Sequence, residues 1–146
     1  MSKKIYPSGF LYTSSLMWVT ITDEQTVRIG LTQQICDCFK ELSKNGAYDV
    51  CCELKPIGAE VKRMEPLGAV KMKGVTFELT SPVSGRIKKI NDEALNNISA
   101  LNNDPEKEWV AEVEPTNLEE DIQYLFTPQQ YEEFCKHLWY FLRAQL

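Results

Sequence analysis

Cysteines are the residues of this chain best suited to chemistry, and there are five of them. Cys36-Asp37-Cys38 and Cys51-Cys52 place four thiols in two close pairs. As thiolates they could hold zinc or another soft metal, or exchange as a redox pair. The spacing fits a metal poorly. Cys51 and Cys52 are neighbours on a predicted strand and face opposite sides. Cys36 and Cys38 on a predicted helix diverge by about 200° at ~100° per residue. Free cysteine is commonly a small core residue, and packing is the reading adopted for these four and for Cys135. The odd count argues against a complete disulfide framework. His137 is the only histidine. No Ser, Cys or Asp accompanies it in a pattern that suggests a triad, so it reads as a solvated or satisfied side chain. No catalytic residue and no metal site are expected.

Charge offers a second kind of chemistry. Lys71, Lys73, Arg86, Lys88 and Lys89 make the middle of the chain basic, while Glu106 to Asp121 is acidic. Solvated strand faces are the plain explanation, and a surface that docks on an acidic partner is the functional one. The net charge of −5 argues against nucleic acid as that partner. Near the C-terminus, Tyr131, Phe134, Leu138, Trp139, Phe141 and Leu142 crowd one predicted helix. Core packing accounts for most of them. So many large apolar groups on one helix leave room for a partner contact.

The elements that must position these residues are mostly strands. Trp18 to Ile21 and Thr26 to Ile29 alternate as strands around the Asp23-Glu24 turn. Thr32 is placed to cap a helix whose apolar positions are Ile35, Cys38/Phe39 and Leu42, stopped at Asn45-Gly46. Tyr48 to Leu54, Val61 to Met64 and Leu67 to Lys71 read as further strands, the last two separated by Pro66. Thr76, Glu78 and Thr80 alternate with Phe77 and Leu79, a half-buried strand with the two apolar residues inward. Arg86 to Ile90 and Trp109 to Val113 complete the set, with a short helix around Glu93-Ala94-Leu95 between them. Asn117 is placed to cap a short helix. Thr127-Pro128 with Gln130 is placed to build a capping box for a long one.

Many short strands with Gly and Pro turns predict a mainly β barrel or sandwich with flanking and C-terminal helices. At 146 residues the chain forms one domain over 1–146, its core over about 11–114 and its last helices over about 117–145. A hydrophobic fraction of 43% and a charged fraction of 25% are ordinary for a soluble protein. No apolar run approaches the ~20 residues that span a bilayer, so no membrane partner is expected. Met1-Ser2-Lys3-Lys4 is followed by no apolar signal core, which predicts an intracellular protein with reduced thiols, cytoplasmic or, in a eukaryote, organellar.

Seven pieces in order carry a family resemblance. Tyr12-Thr13-Ser14-Ser15-Leu16-Met17-Trp18 looks like the Y-T-x-x-H-E-W that opens the H protein of the glycine cleavage system. Val27-Arg28-Ile29-Gly30-Leu31-Thr32 and Cys52-Glu53-Leu54-Lys55-Pro56-Ile57-Gly58 resemble its V-x-V-G-I-T and V-E-L-P-x-V-G. Ser81-Pro82-Val83-Ser84-Gly85 is its S-P-V-S-G intact. Asn91 to Leu95, Leu101-Asn102-Asn103-Asp104-Pro105 and Glu108-Trp109 are similar to its N-x-x-L, L-x-N-x-D-P and G-W. The resemblance spans roughly Leu11 to Phe134. It implies a lipoyl-type barrel-sandwich hybrid of two small sheets related by a pseudo-twofold axis. It also implies a carrier that shuttles an aminomethyl group on lipoate between glycine-cleavage-type or other lipoyl-handling enzymes.

The departures from the family pattern bear on that chemistry. Counted back from Pro82 without gaps, the family's E-S-V-K falls on Lys71-Met72-Lys73-Gly74, and its following Asp on Glu78. Lipoylation builds an amide on a lysine ε-amine, and Gly74 has none. Glycine does suit a tight turn because it tolerates positive φ. The expectation is therefore a non-catalytic carrier or carrier-derived protein with no cofactor; the alternatives are a non-lipoylated interaction or regulatory module that keeps the fold, or a working carrier with lipoate on Lys73 and then on Lys71. Leu16-Met17 also replaces two ionisable residues, and the stretch from Thr32 to Tyr48 is longer than the family usually has.

Overall fold

In the computed structural model, residues 9–42, 50–72, 75–96 and 108–145 are described, with side chains omitted for 38–42, 50, 72, 75 and 139–145. Among the described residues nine strands form two antiparallel sheets. The larger runs β1-β2-β3-β9-β8-β5, built from Leu11–Tyr12, Met17–Ile21, Val27–Leu31, Trp109–Pro115, Gly85–Ile90 and Glu60–Val61. The smaller runs β4-β6-β7, from Val50–Leu54, Pro66–Met72 and Val75–Thr80. The sheets are unequal, six strands against three, rather than two matched small ones. Four α-helices accompany them among the described residues: α1 Gln33–Leu42, α2 Asp92–Asn96, α3 Leu118–Asp121 and α4 Pro128–Gln145.

Apolar alternation builds the core between the sheets. Val19, Val27, Ile29, Val110, Val113 and Ile87 of the large sheet are buried together with Leu67, Val70 and Leu79 of the small one. Leu79 is fully buried and Phe77 packs partly buried against the same cluster, as the alternation predicts. Gly30 is required by a neighbour rather than by its own conformation. A Cβ there would lie 2.1 Å from Trp18 Cε2, so only glycine lets the indole cover the strand.

Several local expectations shift for physical reasons. Pro66 does not separate two strands but opens β6, where its missing N–H breaks no ladder. Arg63 and Met64 lie in a turn closed by Glu65 N–H donating to the Lys62 carbonyl at 3.0 Å, so β5 ends at Val61. The Thr32 hydroxyl donates to the Leu16 carbonyl at 2.7 Å and lies 3.0 Å from the Tyr131 hydroxyl, fastening α1 to β2 and α4. Asn117 stands at the start of α3 but makes no side-chain cap; its amide donates to Glu120 Oε2 at 2.8 Å. The capping box at α4 is as predicted. Gln130 N–H donates to Thr127 Oγ1 at 3.2 Å and Thr127 N–H to Gln130 Oε1 at 3.0 Å. Tyr48, the stretch 97–107, Lys73, Gly74 and the side chains of Trp139, Phe141 and Leu142 lie outside the described residues.

Candidate functional site

Strands β6 and β7 form the hairpin on which the carrier position is expected. Their register runs from Pro66↔Thr80 to Met72↔Val75, with Lys73 and Gly74 between them in the sequence. Alternation sorts the small sheet into two faces. Cys52, Val70 and Phe77 lie abreast on the inner side, while Cys51, Lys71 and Thr76 lie abreast on the outer side, all three exposed. Glu53 and Glu78 flank Ala69 in the next outer row. Lys71 extends along this face, and its Nζ donates to Glu53 Oε2 at 3.1 Å. Its charge is therefore matched within its own sheet.

The opposite end of the hairpin is held by the Ser81-Pro82-Val83-Ser84-Gly85 segment. The Ser81 hydroxyl is buried and donates to the Val83 carbonyl at 2.7 Å. Ser81 also exchanges backbone bonds with the 62–65 turn: its N–H donates to Glu65, and its carbonyl accepts from Met64, both at 2.8 Å. Ser84 N–H donates to Asp121 Oδ2 at 2.7 Å, and Ser84 Oγ accepts from Arg63 N–H at 3.0 Å. At Gly85 a Cβ would meet the Glu114 carbonyl at 2.2 Å, so the residue must be glycine for β8 to lie against β9. These bonds tie the segment to the 62–65 turn and to α3.

Two buried carboxylates complete the frame. Asp121, 3% exposed, takes Ser84 N–H and lies 3.5 Å from Arg63 Nε. The Arg63 guanidinium covers the Tyr124 ring at 3.8 Å. Glu112, 2% exposed, accepts from Arg28 Nε at 2.9 Å, and Arg28 lies 5.2 Å from the Trp109 ring centre. The sequence gives no separate signal for Asp121, which ends a run of three acidic residues of which the first two are exposed. Glu112 stands opposite Arg28 in β3, which matches its charge, and opposite Lys89 in β8.

The remaining candidates are dispersed. Cys36, Cys52 and Cys135 are buried, whereas Cys51 is exposed, because it sits on the outer face of β4. Packing is thus corrected for Cys51. Burial, with Cys51 and Glu53 beside it, pushes the Cys52 thiol up to about 12 from 9.0. Burial also raises Cys135 and Tyr131. Among the described residues no group of three His, Cys, Asp or Glu could hold a metal ion. His137 is exposed. Leu16 and Met17, in place of the family's ionisable pair, are buried in the core. Lys88 and Lys89 are both exposed, at a bulge where β8 slips against β9. Of the helix aromatics, Tyr131 is buried, stacked on Tyr12 at 4.3 Å, and Phe134 lies 5.1 Å from Phe126.

Two antiparallel sheets closed over one core, with a three-stranded sheet carrying the hairpin and helices outside, make a lipoyl-domain-like fold. A crystal structure of a glycine cleavage system H protein from Mycobacterium marinum has this fold: TM-score 0.66, 24% identity, covering 86% of this chain and 95% of that one. The family model described as Glycine cleavage H-protein matches residues 10–138. A Pyrococcus abyssi protein named "Probable glycine cleavage system H protein" is 35% identical over 130 residues, 89% of this chain and 92% of that protein. The glycine cleavage system H protein of Geobacillus sp. is 33% identical over 132 residues, 89% of this chain and 96% of its own. The chain belongs to the glycine cleavage H-protein family, whose members are lipoyl carriers.

Proposed function

We propose that this chain is a carrier-derived, non-catalytic member of its family that takes no lipoate at the aligned position and acts through protein contacts. One observation carries this reading. The residue in gapless register with the carrier lysine is Gly74, and an amide to lipoate needs an amine there. The attachment position therefore does not fit the group. Lys71 offers little support as a substitute. Lys71 lies on a strand, three residues before Gly74, with its amine drawn onto Glu53. Burial of Leu16 and Met17 supports the same reading, since a core-packing pair stands where the family keeps two ionisable groups.

The partners that suit such a module are glycine-cleavage-type or other lipoyl-handling enzymes, met inside the cell. No helix among the described residues is long and apolar enough to cross a membrane. The experiment is lipoylation of the purified chain by a lipoate–protein ligase. The wild type should gain no lipoyl group, whereas Gly74→Lys should gain one, because it restores the amine in register. A wild-type chain modified at Lys73 or Lys71 would overturn the proposal.

A further inference from the structure

The turn that leads into β5 carries an apolar side chain that the core does not use. Ile57 is 63% exposed, the most open large apolar side chain among the described residues. Its backbone is fixed. Ala59 N–H donates to the Pro56 carbonyl at 3.0 Å, and Gly58 between Ile57 and Ala59 has φ +92. A type II turn needs that positive φ at its third residue, and glycine adopts it without strain. No atom crowds the place where a Gly58 Cβ would stand, so conformation and not space calls for the glycine. The turn thus holds Ile57 at its second position, open to water, before any partner arrives.

Backbone register shows what borders it. Gly58 N–H donates to the Ile87 carbonyl at 2.8 Å, and Ile87 N–H donates to the Ala59 carbonyl at 3.0 Å. Gly58 and Ala59 therefore share one partner, a bulge with glycine in the left-handed position. The next residue out, Ile57, falls beside Lys88. On its other side β8 has a bulge of its own. Ile87 pairs with Val113 and Lys89 with Glu112, which leaves Lys88 as the extra residue with no β9 partner. Ile87 is buried in the core, while Lys88 and Lys89 are both exposed. Two bulges thus bring two successive lysines next to one exposed isoleucine.

Charge selects the partner. Arg86 is held by Glu60 at 2.9 Å and Lys71 by Glu53 at 3.1 Å, and the Glu112 carboxylate is taken by Arg28 at 2.9 Å. Among the described residues Lys88 and Lys89 form no ion pair. These are the unmatched cations of the basic stretch, and a complementary surface carries carboxylates. A net charge of −5 opposes an extended anionic surface such as a membrane or a nucleic acid, so the complement is a local one. We infer that the Ile57–Lys88–Lys89 surface docks a protein segment presenting apolar side chains flanked by carboxylates. Leu54, three residues before Ile57, pairs with Gly68, about 13 Å along β6 from Met72 at ~3.3 Å per residue. The surface is thus distinct from the carrier position, and the inference stands whether or not a lysine is lipoylated.

The test uses the full chain, isotopically labelled, and a synthetic peptide of Leu-Phe between two pairs of glutamates. Amide shifts on titration should saturate, centre on residues 56–59 and 86–90, and weaken at high salt. Ile57→Ser, and Lys88→Gln with Lys89→Gln, should each weaken binding about tenfold or more. Ile57→Ser should leave the thermal midpoint unchanged, since the side chain is mostly in water. Lys71→Gln should bind as the wild type does, because Glu53 already takes that charge. The same peptide flanked by lysines should not bind, and a run of glutamates without Leu-Phe should bind about tenfold more weakly or not at all. Equal binding of either control peptide, unchanged affinity in Ile57→Ser or in the double lysine variant, shifts centred elsewhere, concentration-dependent shifts of the chain without peptide, or equal binding to vesicles of anionic lipid would each overturn the inference.

Discussion

Replacing Asp121 by alanine should cost about 3 kcal/mol of stability, because this carboxylate joins the Ser81–Gly85 segment to α3. The magnitude comes from its contacts. A hydrogen bond from Ser84 N–H to a charged acceptor is worth ~1.5–3 kcal/mol, and stranding that donor costs a similar amount, counted once. The Arg63 contact adds less, roughly 0.5–1 kcal/mol, since Arg63 is 31% exposed and keeps water and the Tyr124 ring. Urea unfolding followed by circular dichroism reads the loss as a lower midpoint at unchanged slope. At about 2–4 °C per kcal/mol for a chain of this size, the thermal midpoint should fall by roughly 6–12 °C. Asp121→Asn keeps an acceptor for Ser84 without the charge and should cost only ~1 kcal/mol. An alanine variant within ~0.5 kcal/mol of wild type, the range of ordinary surface changes, would refute the reasoning.

Gly30→Ala drives a Cβ to 2.1 Å from the Trp18 ring and should destabilise by ~1–3 kcal/mol, with a red shift in tryptophan emission as the indole is displaced; an unshifted spectrum at full stability would count against it. Thr127→Ala removes half of the α4 capping box and should cost ~1 kcal/mol in the same unfolding assay, whereas Thr127→Ser should cost little. A thiol reagent on the native chain should label Cys51 and spare Cys52, whose thiol burial keeps protonated; peptide mapping reads the ratio. Because the folded Cys52 value is raised from 9.0 to about 12, the unfolded thiol ionises first, so stability is intact below about pH 9 and declines as pH rises towards 12; Cys52→Ala should flatten that decline.

The strands were legible in the sequence because period-two alternation is a local signal. Phe77 and Leu79 against Thr76, Glu78 and Thr80 place β7 and its inner face without knowledge of the partners. The Thr127–Gln130 box is equally local. What escaped depends on residues far apart in the chain. Arg63 and Asp121 are adjacent only because the 62–65 turn and α3 close on Ser84, and nothing in either segment announces the other. Pro66 misleads for a similar reason: as a strand breaker it suggests an interruption, but the ladder needs no donor at that first position. Thr32 caps by pattern and is claimed by Leu16 and Tyr131, partners from other parts of the chain. Cys51 and Cys52 are assigned to opposite faces by alternation, but which face is the core depends on the second sheet.

The central claim turns on whether any lysine carries lipoate. The most direct measurement is the intact mass of the protein isolated from its own cells, with peptide mapping of residues 66–80. The expected result is the mass of the bare chain and unmodified peptides containing Lys71 and Lys73. A mass increased by one lipoyl group, mapped to either lysine, would contradict it and make this chain a working carrier with a shifted attachment residue.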